Sequence, residues 1–426
     1  MTGVVLIRGG RVIDATGERR ADVLIRDGAV TAAGPSLEAP AGATVLDAGG
    51  CVVAPGLVDL HTHLRQPGRE EAETVETGSR AAALGGYTTV VAMPNTEPAI
   101  DAAAVVREVL ELGAASLCQV RVAGAITKGR HGEELAPMAE MAALGVRLFT
   151  DDGRGVQDAR LMRRALEYAS SLRVTLAQHC EDERLAAGGH MHEGEWSSRL
   201  GIPGIPAEAE DLMVARDLAL ARLTGGRVHF QHLSTAGSVA LVRAAKAAGD
   251  VTVTAEATPH HLVLTDAAVA GYDPVFKVNP PLRAAADVAA VRAALADATI
   301  DAVATDHAPH AQEDKERPFD QAPPGMLGLE TALAVLLTEL DLPLDRVLAL
   351  LSWQPARLAG ADTGPVAEGR VADLCVIDPA AVWLVEPGRT ASRSRNTPFA
   401  GRKLTGKVRH TVLRGEPVVI DGEAQR

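Results

Sequence analysis

From Gly56 to about Ala304, short apolar runs alternate with longer Ala-, Leu- and Arg-rich stretches of helical period. Eight such runs can be counted: Leu57–Leu60, Thr88–Ala92, Val120–Ala125, Val146–Phe149, Val174–Ala177, Val228–Gln231, Val251–Ala255 and Ala302–Thr305. Strands buried on both faces read as continuous apolar segments, and strands joined through helices run parallel. The rhythm therefore predicts eight repeated β-α units, closed into a (β/α)8 TIM barrel.

A chain of 426 residues exceeds the usual size of one hydrophobic core, so a second, smaller unit is expected. Before Pro55 the sequence offers short β-like pieces, Val4–Arg8, Val23–Arg26, Thr44–Leu46 and Val52–Val53, broken by turns such as Arg26-Asp27-Gly28. The tail resembles them at Asp373–Ile377, Lys407–Leu413 and Pro417–Ile420. Residues 1–54 and 365–426 are expected to pair into one small β-sandwich domain beside a barrel of residues 55–364.

Active sites of such barrels gather at the C-terminal ends of the strands. Here the first strand ends in His61 and His63, the fourth in Thr150-Asp151-Asp152, the fifth in His179, the sixth in His232 and the eighth in Asp306-His307. In an extended strand alternate side chains share a face, so His61 and His63 can offer two imidazole nitrogens to one ion while Thr62 points into the opposite wall. Two strand histidines alone would serve packing equally well. Five strand ends aiming nitrogen or carboxylate at one mouth are a different matter. Four histidines and two carboxylates suit two zinc-like ions: His61 and His63 on one, His179 and His232 on the other, Asp152 bridging and Asp306 beside the first. Spacing alone leaves both Asp151 and Asp152 open as the bridge.

The net charge of -13, with no Lys/Arg cluster interleaved with aromatics, argues against a polyanion-binding surface and against nucleic acid as a partner. Four cysteines, Cys51, Cys118, Cys180 and Cys375, lie far apart without a C-x-x-C pair, which fits a reducing compartment and excludes a thiolate zinc site. The stretch Met1–Arg8 lacks the basic segment and long apolar core of a secretion signal, and no apolar run is long enough to span a bilayer. A cytoplasmic protein is expected.

Five motifs together resemble the class I dihydroorotases of the amidohydrolase superfamily. They are His61-Thr62-His63-Leu64-Arg65-Gln66-Pro67-Gly68, the run from Gly85 to Thr96, Thr150-Asp151-Asp152-Gly153, Lys277-Val278-Asn279-Pro280-Pro281-Leu282-Arg283 and Thr305-Asp306-His307-Ala308-Pro309-His310. The resemblance runs through the whole chain. It implies zinc-dependent, reversible interconversion of N-carbamoyl-L-aspartate and (S)-dihydroorotate, the third step of de novo pyrimidine synthesis. It implies two Zn2+ per subunit held by His61, His63, Asp152, His179, His232 and Asp306, with the bridge at the second aspartate of T-D-D-G and Asp306 as the catalytic proton carrier. It also implies substrate contacts from His63, Arg65, Asn95, Asn279, His310 and the Pro324-Gly325 loop, a homodimer, and in some organisms an association with aspartate carbamoyltransferase.

Both reactants carry a free carboxylate, so an arginine near the metals is expected for a charge-assisted contact, and Arg65 is placed for it. Asn95 and Asn279 would otherwise read as ordinary loop punctuation. His260, His261 and His307 are left out of the metal set because strand-end histidines are more often satisfied by backbone partners, and Cys180 because its side chain alternates away from that of His179. Gln66 stands where the family usually has Glu, and Pro324 where an aromatic is common. Dihydropyrimidinase, hydantoinase and allantoinase share the barrel but usually bridge the metals with a carboxylated lysine, and Val146–Asp152 contains none. An inactive scaffold would be expected to have lost ligands. The charged, Pro-rich segment Ala311–Gly325 is expected to act as a lid.

Overall fold

The computed structural model describes residues 3–426; Met1 and Thr2, at the edge of the expected N-terminal β unit, lie outside them. Each predicted run overlaps one barrel strand: β1 (Leu57–Thr62), β2 (Tyr87–Ala92), β3 (Gln119–Val122), β4 (Leu148–Phe149), β5 (Thr175–Gln178), β6 (Arg227–Phe230), β7 (Val253–Ala257) and β8 (Ala302–Val303). β1 to β3 form one parallel sheet and β4 to β8 another, each in sequence order. Parallel bridges from Gly124 to Phe149 and from Thr62 to His307 join the two sheets at both seams and close the barrel.

All six residues of β1 are buried, as a strand covered on both faces requires. Asp59 lies among them and accepts hydrogen bonds from the Thr62 hydroxyl at 2.6 Å, the Thr305 N–H at 2.8 Å and the Thr305 hydroxyl at 2.5 Å. One carboxylate thus ties β1 to the end of β8, where the backbone ladder is thin. The outer helices start on side-chain caps: Thr74 accepts from Thr77 N–H ahead of α1 (Val75–Leu84), and Asp158 from Leu161 N–H at 2.7 Å ahead of α2 (Ala159–Leu172). Their apolar faces, Ala81 and Ala82 of α1 with Ala165, Leu166 and Ala169 of α2, enter the main core beside Phe149 and Leu176. Each large side chain buried there stabilises the fold by about 1.5–3 kcal/mol.

Two sheets built from both chain ends pack beside the barrel. One holds Val5–Arg8, Asp22–Arg26, Ala29–Gly34 and Thr44–Asp47; the other pairs Val52–Pro55 with Leu374–Leu384 and Arg11–Asp14. Val5, Ile7, Val23 and Leu46 from the first meet Val12, Val53, Leu374, Val376 and Val412 from the second in one core, the sandwich that the patterning implied. Leu374–Leu384 runs well beyond the expected Ile377, because the Asp378 carboxylate takes the N–H groups of Ala380 and Ala381 at 3.0 Å each and carries the strand through a bulge. The hairpin Arg11–Asp14/Gly17–Arg20 escaped the reading because its outer strand is polar and mostly exposed. Among the described residues no helix is long and apolar enough to cross a membrane.

Candidate active site

The end of β1 delivers His61 and His63 to the barrel mouth with ring centroids 5.2 Å apart, as the alternation of an extended strand dictates. Across the mouth, the rings of His179 beyond β5 and His232 beyond β6 stand edge to face at 4.7 Å, with Nδ1 of the first 2.9 Å from Nε2 of the second. Asp152 lies between the pairs. Its Oδ1 is 3.3 Å from His61 Nε2 and 3.6 Å from both His179 Nδ1 and His232 Nε2, while its Oδ2 is 3.6 Å from His63 Nε2. Asp306 completes the ring, 3.0 Å from His63 Nε2 and 3.5 Å from His61 Nε2. His61, His63 and Asp306 form one group able to hold a cation, and His61, Asp152 and His232 another.

All six side chains are buried. Burial opposes the ionisation of Asp152 and Asp306, but the surrounding imidazoles outweigh it and hold both carboxyls well below the ordinary carboxylate range. His61 Nε2 is buried and without a hydrogen-bond partner, although it faces both carboxylates. An orphaned imidazole nitrogen among converging donors and anionic oxygens fits a divalent cation.

Three of the four rings are tethered through their second nitrogen, whereas His232 Nδ1 is buried without a partner. His63 Nδ1 is 2.9 Å from Asn95 Oδ1, and His179 Nε2 is 3.3 Å from the Asn279 amide. His61 Nδ1 is 3.0 Å from Glu256 of β7, whose second oxygen meets His229 Nε2 at 3.0 Å; His229 Nδ1 meets the Thr254 hydroxyl at 2.9 Å. The sequence reading missed Glu256 and His229. A carboxylate inside the otherwise uncharged strand Val-Thr-Ala-Glu-Ala was the available signal. Asp151 points away from the cage: it accepts from the N–H groups of Ile126 and Thr127 at 2.8 and 3.0 Å and from the Thr127 hydroxyl, and so fixes the loop after β3.

A cavity of about 510 Å³ opens above the cage, with His63, Asp152, His179, His232 and Asp306 at its floor. Arg65, Asn95, Asn279, His310, Pro324 and Gly325 line it, together with Arg69 and Arg154, which sequence reading did not single out. Arg65 is 7% exposed; its Nε donates to Pro309 O at 3.0 Å. Burial and the neighbouring Arg69 pull its guanidinium down to about 10. His310 Nε2 donates to Pro324 O at 2.8 Å, so that carbonyl is occupied by the protein itself. Gly325 sits at φ +146°, where a Cβ would lie 2.7 Å from His310 Nε2, and only glycine fits this approach. Gln66 does not orient Arg65: its oxygen accepts from the Val75 N–H at 3.0 Å and caps α1.

All but one of the excluded residues have other partners. His307 bonds Glu73 at 3.3 Å, His261 bonds Thr258 and Pro280, and Cys180 donates to Gln178 O; the Nε2 of His260 is buried without one. The segment Ala311–Gly325 covers one side of the cavity and is pinned by two lysines. Lys315 Nζ donates to Pro323 O at 2.8 Å and Pro274 O at 3.0 Å, and Lys277 Nζ to Phe319 O at 2.8 Å.

Residues 50–238 match the family described as Dihydro-orotase-like. The dihydroorotase of Pelotomaculum thermopropionicum is 52% identical over 424 residues, 98% of this chain and 99% of its own. That of Streptomyces coelicolor is 52% identical over 428 residues, with the same coverage of both. This chain belongs to the dihydroorotase family. Among solved structures, the L-hydantoinase (dihydropyrimidinase) of Arthrobacter aurescens superposes with a TM-score of 0.88 at 27% identity, over 100% of this chain and 98% of its own. The D-hydantoinase of a Bacillus sp. AR9 gives 0.86 at 26%, over 99% and 96%. The hydantoinases share the barrel and its sandwich, whereas the half-identical, full-length relatives are dihydroorotases. Membership in the dihydroorotase family makes the chain a metal-dependent hydrolase of a cyclic amide.

Proposed function

We propose that this chain catalyses the reversible, zinc-dependent cyclisation of N-carbamoyl-L-aspartate to (S)-dihydroorotate, in the cytoplasm, as one step of pyrimidine synthesis. The observation that carries this reading is the buried Arg65 guanidinium, which among the described residues meets no carboxylate and faces the same cavity as the Asp152 and Asp306 cage. A substrate whose reacting amide lies a few bonds from a free carboxylate joins the two.

In this reading His61, His63 and Asp306 would hold one Zn2+ and His179 and His232 the other, with Asp152 placed between the two groups. When bound, the two ions supply Lewis acidity for the amide carbonyl and lower the pKa of water at the floor of the cavity. Asp306, 3.0 Å from His63 and at the cavity wall, takes the proton of the attacking water and hands it to the ring nitrogen. In cyclisation the same carboxylate returns a proton to the departing water. Arg65 grips the substrate carboxylate with Asn95, beside His310, and Asn279 addresses the ring, with Pro324 and Gly325 shaping the cavity wall next to it. The segment Ala311–Gly325 shields the site. Residues 55–364 carry the chemistry, residues 1–54 and 365–426 the supporting sandwich, and the same reading includes a homodimer and, in a host that supplies it, aspartate carbamoyltransferase as a partner.

Ultraviolet absorbance of (S)-dihydroorotate tests the reaction directly, beside hydantoin, dihydrouracil and allantoin and with a chelated control. Selective, chelator-sensitive loss of dihydroorotate is expected. Turnover of another ring in its place refutes the substrate, and inactivity with both ions bound favours a scaffold.

A further inference from the structure

A second cavity, of about 450 Å³, opens at the opposite, N-terminal end of the barrel. Arg147 stands immediately before β4, Arg173 just before β5, Arg227 opens β6, and Arg357 lies on the helix Trp353–Ala359. All four line this cavity with the hydroxyl-bearing Thr175, Thr252 and Thr254, and no acidic side chain does. Among the described residues, none of the four guanidinium groups lies within 4.0 Å of a carboxylate. Arg121 approaches from β3: a Cβ on Gly360 would lie 3.3 Å from the Arg147 side chain and 3.9 Å from Arg121 Nη1.

Gathering like charges costs free energy unless something compensates it. In a chain of net charge -13, acidic side chains are abundant, and elsewhere on the surface arginines find them, as Arg222 does with Asp250 at 2.6 Å and Arg243 with Asp297 at 2.7 Å. The local backbone also bends to keep one of the four. α3 (Glu208–Thr224) and α4 (Ala236–Ala248) end on Gly225 and Gly249 in the left-handed conformation, φ +69° and +68°. α2 ends in the same conformation on Arg173, φ +57°, where glycine is the usual residue. Arg121 is pushed below the ordinary arginine range by burial and by its neighbours Arg147 and Arg414.

We propose that this arginine-lined cavity at the floor of the barrel is a binding site for a small phosphate-bearing polyanion, distinct from the cavity above the metal cage. Guanidinium forks match phosphate oxygens two at a time, the Thr175 and Thr252 hydroxyls supply further donors while that of Thr254 is held by His229, and the volume suits a pyrophosphate or the polyphosphate end of a nucleotide. The arginines are dispersed over more than two hundred positions of the sequence, so no basic run announces the site; strand register assembles it, Thr175 pairing with Arg227 and Leu148 with Thr175.

Isothermal titration calorimetry of the whole protein with inorganic phosphate, pyrophosphate and a magnesium-free nucleoside triphosphate tests this. Saturable one-site binding is expected, strongest for the condensed phosphates, and weakened about tenfold or more in the Arg173→Ala/Arg227→Ala variant. Unchanged thermal unfolding and turnover of that variant establish that it is folded. Preference for the nucleotide over pyrophosphate identifies the source as a nucleotide; equal affinity identifies the free polyphosphate. The proposal is overturned if no saturable binding occurs, if Arg65→Ala abolishes it while the double variant keeps it, or if only an acidic polypeptide such as polyglutamate binds.

Discussion

Glu256 places Oε1 3.0 Å from Nδ1 of His61, deep inside the barrel and on the far side of the imidazole from the metal cage. Burial opposes the charge on Glu256, but hydrogen bonds from His229 and His61 outweigh it and hold the carboxyl at about 2. It therefore fixes the tautomer of His61, leaving Nε2 as the lone-pair nitrogen that faces Asp152 and Asp306. Such outer carboxylates orient metal-bound histidines and raise their basicity. Glu256→Gln retains the shape and loses the charge, and is expected to weaken zinc retention by about 10- to 100-fold. Competition with a chromogenic chelator measures it; unaltered retention would refute this role.

In the proposed reaction Arg65 anchors the substrate carboxylate. Arg65→Ala removes a charged hydrogen-bond donor worth about 1.5–3 kcal/mol, on the order of a 10- to 100-fold loss in kcat/KM. The loss should be much smaller for a neutral amide analogue of dihydroorotate. Equal losses on both compounds would mean that Arg65 serves the fold and not the carboxylate.

Lys315 pins the segment over the cavity through carbonyls at 2.8 and 3.0 Å, and burial draws its ammonium down to about 7. Lys315→Met deletes those bonds while keeping an unbranched side chain. Faster proteolytic nicking within residues 311–325 and a raised KM are expected. Nicking at the wild-type rate would show that the segment is held by other contacts.

Glu330 lies outside the active site, partly buried, with its carboxylate accepting the Ala391 N–H at 2.9 Å. Burial raises it to about 7 from an ordinary 4.5. A carboxyl raised on folding favours the folded state fully below pH 4.5, and that contribution is lost as pH climbs through about 7. Glu330→Gln, which keeps an acceptor for Ala391, should raise Tm relative to the parent by a margin that widens across this window. A pH-independent difference would assign the effect to packing.

The barrel was legible because its strands are covered on both faces, so each appears as an apolar run however the chain is placed in space. The six cage residues were legible for a related reason: five of them stand at or just past a strand end, and strand ends of one polarity converge. Glu256 was not, since a charge inside a strand gains meaning only from the histidines that lie opposite it. Gln66 follows Arg65 in sequence, yet the turn sends its side chain to the start of α1, which adjacency alone does not reveal.

The sequence by itself determined the eight-fold repeat and the sandwich of the two chain ends, and nominated the cage residues up to the choice between Asp151 and Asp152, because periodicity and strand-end position are local properties. Only the tertiary structure decided which side chains share a cavity. It joined Thr254, His229, Glu256 and His61 in one chain through the barrel interior, and gathered Arg147, Arg173, Arg227 and Arg357 at its floor. Those neighbours are far apart in sequence, and closure of the parallel sheet, which no single segment encodes, brings them together.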